Sequence, residues 1–104
     1  MKTGIELIKE ERDRQISKEG FTLKHDAQHT DGELANAACV YAMTDEMIEF
    51  LDQNWGDDNY LHFWPFGLEW LKKDRSDNLQ KRIKDLTKAG AMIAAEIDRL
   101  QLLE

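Results

Sequence analysis

A chain of 104 residues is long enough for one domain but buries only a modest share of its surface, so pairing with a second copy is expected. Its hydrophobic fraction of 41% supports a core, and its charged fraction of 34% describes richly charged helix surfaces rather than disorder. The formal net charge of −7 argues against nonspecific attraction to nucleic acid or to anionic membranes, both of which need a positive field.

One proline and six glycines leave room for long uninterrupted helices. No apolar run approaches the ~20 residues of a membrane span. The opening residues lack the apolar stretch of a secretion signal, and the single cysteine, Cys39, rules out an intrachain disulfide framework. A cytoplasmic location is the expectation. Cys39 lies in an Ala-Ala-Cys-Val run and is expected to act as a small buried hydrophobe.

Thr3 and Glu6 have the spacing of a capping box, a hydroxyl followed three residues later by a carboxylate. A helix should follow to about Lys18 and stop at Gly20. Its apolar face is thin, Ile5, Ile8 and Ile16, and the helical period turns Arg12 inward. A buried arginine needs a partner, and Arg12 either pairs with Glu33 or reaches an anionic ligand such as a phosphate. The rest of the block 10–15, including Arg14, reads as solvated pairs one turn apart.

Residues 20–31 read as a loop, and Thr30 with Glu33 forms a second capping-box pattern. The helix after it is rich in small residues, with Leu34, Ala38, Tyr41 and Ala42 as its inner face. Thr44-Asp45-Glu46 either caps a new helix or marks a bend, after which Met47, Ile48, Phe50 and Leu51 keep a helical period to about Asn54. Segment 44–70 carries seven carboxylates and no lysine or arginine, and seven of the nine aromatics lie between Phe50 and Trp70. It reads as an irregular aromatic flap with a helical turn near Leu68–Lys72. The rings either cover the open end of a helical bundle or contact a ligand or subunit.

The final helix, roughly residues 76–103, is the clearest element. Ser76 or Asp77 is the expected N-cap. Leu79, Leu86, Ile93 and Leu100 recur every seven residues, and Ile83, Gly90 and Ile97 form a second track. Its small centre matches the alanine-rich middle helix, so the two should pack closely with Gly90 near their crossing. The predicted fold is all-α: a bundle of about four helices in one domain, with an aromatic irregular segment and a long closing helix.

Chemistry concentrates in few places. His25, Asp26, His29, Asp31 and Glu33 crowd one loop and helix start. Such side chains either ligate a divalent metal or simply cap the helix and pair with Arg12 or Arg14. Asp85 and Lys88 lie one turn apart on the last helix. Lys72, Lys73, Arg75, Lys81, Arg82 and Lys84 make a basic patch near its start, which fits surface pairing within the fold or a dimer better than nucleic-acid binding. No phosphate-binding glycine loop and no nucleophile elbow are present.

Glu11-Arg12-Asp13-Arg14-Gln15, followed by Glu19-Gly20-Phe21 and His25-Asp26, resembles the opening of small phage and bacterial proteins related to the MazG-like, all-α nucleoside triphosphate pyrophosphohydrolases. The Gly32-Glu33-Leu34-Ala35 helix start and the helix from Asp85 to Glu96 resemble that family's two metal-site helices in order and spacing. The resemblance spans about two thirds of the chain and omits the middle, 44–75. It implies cleavage between the α and β phosphates of a nucleotide, with Mg²⁺ held by a Glu-Glu-x-x-Glu motif and a Glu-x-x-Asp motif. By position these fall on Gly32, Glu33 and Asn36, and on Asp85 and Lys88, so two of the five acids remain.

Under that resemblance Glu33, Asp85 and Asp26 hold the metal, with His25 and His29 as further ligands. A metal-bound water attacks, and Arg12, Arg14 or Lys88 contacts phosphate. A lysine ammonium in the cluster opposes a cation. The chain is therefore either a Mg²⁺-dependent enzyme of this kind or a non-catalytic helical protein. The latter would serve dimerisation, or binding of a nucleotide or a basic partner, with the acidic aromatic segment as its contact face.

Overall fold

The computed structural model describes residues 1–20, 30–73 and 78–104. Four α-helices and two 3₁₀ turns make up these residues: α1 (Gly4–Glu19), α2 (Glu33–Ala42), α3 (Asp45–Trp55), the turns Asn59–Phe63 and Leu68–Trp70, and α4 (Leu79–Gln101). The fold is all-α, as the periodicity predicts. Among the described residues no helix is long and apolar enough to cross a membrane.

Local chemistry sets most helix ends. The Thr3 hydroxyl accepts from the Glu6 N–H at 3.2 Å, and the Glu6 carboxylate accepts from the Thr3 N–H at 3.3 Å. Gly20 closes α1 in the left-handed region, φ 72°. Thr44 caps α3 rather than bending the chain, its hydroxyl accepting from the Met47 N–H at 3.1 Å. The α4 N-cap is Asn78, whose side-chain amide oxygen accepts from the Gln80 and Lys81 N–H groups; Ser76 and Asp77 lie outside the described residues. The expected Thr30–Glu33 box does not form. Gly32 turns left-handed at φ 78° and starts α2 there, and Glu33 reaches back to the Asp31 N–H instead.

The long helix α4 packs against α2 and α1. Its Arg82 meets the C-terminal end of α2, and its Arg99 feels the charge of Glu33 at the other end, so α2 and α4 run antiparallel. The core joins Ala37, Ala38, Val40 and Tyr41 of α2 to Ile48 of α3, Ala89 of α4, and the rings of Tyr60 and Trp64. Leu34 is also buried, and Ala42 only partly. Cys39 is exposed, contrary to expectation. One residue turns 100° on a helix, and the core claims Ala38 and Val40 on either side of it.

The heptad track of α4 is not in this core. The buried face is Asp85, Ala89, Ala91, Ala95, Glu96 and Arg99, and the aliphatic track faces outward. Small side chains decide this: alanines on α4 and α2 permit close approach, which a row of leucines and isoleucines does not. Gly90 lies under α1, not α2. A Cβ built on Gly90 would fall 2.5 Å from Cδ1 of Ile8.

Candidate functional site

α1, α2, α4 and the aromatic segment enclose a pocket of about 690 Å³. Helix α1 supplies Glu11, Arg12, Arg14, Gln15, Lys18 and Glu19; α4 supplies Lys88, Met92 and Ala95; α2 supplies Leu34 and Tyr41. Trp64, Phe66, Gly67, Trp70 and Lys72 close the far side. Among the described residues the lining carries five cations and two carboxylates, a local excess of positive charge in a chain of net charge −7.

The aromatic side is fixed by ring packing and by hydrogen bonds. Trp64 sits edge-on to Tyr41, with centroids 5.7 Å apart, and edge-on to Phe66 at 5.5 Å. The Trp64 indole N–H donates to the Gly67 carbonyl at 3.0 Å, which holds the turn against the ring. Trp70 is 65% exposed, so its ring is open to solvent. The Tyr41 hydroxyl accepts from the Lys72 N–H at 2.8 Å, and burial raises the tyrosine's pKa.

The polar wall is organised around Glu11. Arg14 grips it through Nε at 2.7 Å and Nη2 at 2.8 Å, and the Gln15 amide donates at 3.1 Å. Burial alone would raise the Glu11 pKa; the Arg14 and Gln15 hydrogen bonds outweigh it and hold the carboxyl below its ordinary range. The Lys88 ammonium lies 5.4 Å from the Tyr41 ring centroid, in cation–π range. Burial pulls the Lys88 pKa down, aided by Lys84 and opposed by Glu11. Charge held in a half-buried position is poised to gain from an incoming anion.

Of the residues expected from sequence, the pocket gathers Arg12, Arg14 and Lys88. Glu33 is not on its wall. It bonds the Asp31 N–H at 2.6 Å and lies in the field of Arg99. Asp85 is buried beside Lys73, at 3.7 Å. Fourteen residues separate Asp85 from Arg99, roughly 21 Å along the helix, so Glu33 and Asp85 sit at opposite ends of the α2–α4 pair. His25, Asp26 and His29 lie outside the described residues.

Asp85 has a structural task. α2 ends without a basic residue in its last turn. Its terminal carbonyls would lack donors, and the helix dipole places negative charge there. Lys73 donates to the carbonyls of Tyr41 and Met43, and Arg82 to those of Ala42 and Met43. Asp85 balances the buried Lys73. A shared Mg²⁺ site needs several converging anionic oxygens, and Glu33 and Asp85 do not supply one together. Among the described residues, no three His, Cys, Asp or Glu side chains are grouped for a metal.

Sequence reasoning missed Lys18, Lys72 and Trp70 as neighbours of Arg14 and Lys88. The clustering of aromatics before a basic stretch was a signal, but their convergence depends on the path of the whole chain. No family model matches the chain, and neither a curated protein nor a solved structure does.

Proposed function

We propose that the chain binds a phosphorylated nucleoside, or a closely related anionic aromatic molecule, in the pocket between α1, α4 and the aromatic segment. The observation that carries this reading is the composition of the pocket lining: Arg14, Lys18, Lys72 and Lys88 together with Phe66 and Trp70. Cations suit phosphate oxygens, and an open indole suits a base. A nucleoside triphosphate is the ligand class that the MazG-like resemblance also implies. Binding is the better-supported half of that resemblance, since the two inherited acids stand apart. The exposed Trp70 ring stacks on the base, and Arg14, Lys72 and Lys88 neutralise the phosphates.

The test is titration of the chain with ATP, dATP, GTP, AMP and adenosine, followed by tryptophan fluorescence and calorimetry, with and without Mg²⁺. Affinity should rise with phosphate count, and Lys88→Met should weaken it about tenfold, the ~1.4 kcal/mol of one charged contact. Parallel assays for monophosphate and pyrophosphate distinguish a binder from an enzyme. Absence of any saturable change with the whole series would overturn the reading.

A further inference from the structure

α4 leaves an aliphatic stripe outside the fold. Leu79, Ile83, Leu86, Ile93, Ile97 and Leu100 are 44–77% exposed. Their steps of four and three residues form a heptad seam, interrupted only at Gly90, where Ile8 of α1 lies over the gap. Ile5, one turn earlier on α1, is also exposed and extends the surface. The exposed parts of the six side chains amount to roughly 600 Å², the top of the range for the largest patch on an ordinary monomer. With Ile5 the area nears the ~800 Å² per partner of a stable interface.

We propose that this stripe is a dimer seam, covered by α4 of a second copy running antiparallel. Two features select that occupant. The stripe reads nearly the same from both ends: a two-fold axis near Gly90 places Leu79 opposite Leu100, Ile83 opposite Ile97 and Leu86 opposite Ile93. An isologous interface requires this self-complementarity. The charges point the same way. The first half of α4 carries Lys81, Arg82, Lys84 and Lys88 against Asp85 alone, while its last third carries Glu96 and Asp98 against Arg99. Antiparallel pairing lays the basic half of one copy on the less basic half of the other. Parallel pairing stacks like on like. On the other border Gln80, Thr87, Ala94 and Gln101 are uncharged, so closing the seam there desolvates no ion.

Sedimentation equilibrium of the full chain at micromolar concentration should give twice the chain mass. Ile93→Lys should give the single-chain mass with unchanged helical circular dichroism, because Ile93 faces solvent in the single chain. A wild-type chain that stays monomeric overturns the proposal, whatever else it binds. So does an Ile93→Lys dimer, which would place the interface elsewhere. Cross-linking fixes the direction without touching the stripe. On a Cys39→Ser background, a short bis-maleimide should join Gln80→Cys chains to Gln101→Cys chains. Efficient joining of Gln80→Cys chains to one another, or no joining at all, overturns the antiparallel seam.

Discussion

Replacing Gly90 by alanine sets two effects of similar size against each other. In a helix interior alanine is favoured over glycine by about 1 kcal/mol. The added Cβ, however, would lie 2.5 Å from Cδ1 and 2.8 Å from Cγ1 of Ile8, where carbon atoms prefer ~3.5–4 Å. Ile8 must give way by about 1 Å. Overpacking of this kind costs roughly 1–3 kcal/mol, and the lower end applies because Ile8 is half-buried and its far end can swing outward. Gly90→Ala alone is therefore expected to change stability by less than about 1 kcal/mol, the gain and the clash nearly cancelling.

Ile8→Ala removes the obstructing atoms. In that background Gly90→Ala should recover its full helix-propensity gain of about 1 kcal/mol. The difference between the two backgrounds, about 1–2 kcal/mol, is the coupling between α1 and α4 at their crossing. Urea denaturation of the four chains at one fixed concentration measures it, with equal slopes required for the comparison. Equal stabilisation by Gly90→Ala in both backgrounds would refute the crossing of α1 over α4 at Gly90.

Lys73 and Asp85 are buried together, so Asp85→Ala, which removes the carboxylate facing the buried Lys73 ammonium, should cost about 3–5 kcal/mol, while the double variant with Lys73→Met should cost less than the sum of the two single changes in the same denaturation assay. Glu11 titrates below its ordinary value of 4.5 in the folded chain. The stability it contributes is present above that value and lost as pH falls through the folded pKa; thermal melts should show that Glu11→Gln flattens the acid limb. Cys39→Ser should change stability by less than about 0.5 kcal/mol, and the wild-type thiol should react with a thiol reagent in the native state as fast as in urea.

What was legible in the sequence was local. Thr3 with Glu6, Gly20 and Thr44 announce helix ends because their effect is confined to one turn of backbone. The heptad of α4 announces a helix for the same reason. The period does not say which chain covers the stripe. α4 has two faces fit for packing, one of alanines and one of long aliphatics, and α2 is itself alanine-rich, so backbone proximity chose the small face for the core. Gly90, placed by its sequence beside α2, sits under Ile8 because it belongs to the outer track. Asp85 illustrates the other limit. Its neighbour at one turn, Lys88, is visible in sequence, but its partner Lys73 comes from the segment before the helix and is recruited to cap α2.

The two surfaces of α4 proposed to bind a ligand and a second copy are separable by geometry. At 100° per residue, Lys88 lies about 160° around the helix from Leu86 and about 140° from Ile93. The pocket therefore opens away from the aliphatic stripe, and a second copy seated on the stripe leaves Arg14, Lys88 and Trp70 open to a ligand. Dimer assembly and ligand affinity should then respond to different substitutions. Ile93→Lys should shift mass without changing the affinity for ATP, and Lys88→Met should weaken ATP without changing mass. If Ile93→Lys also abolished ATP binding while its helical signal persisted, the second copy would have to contribute to the pocket, and the independence of the two faces would be wrong.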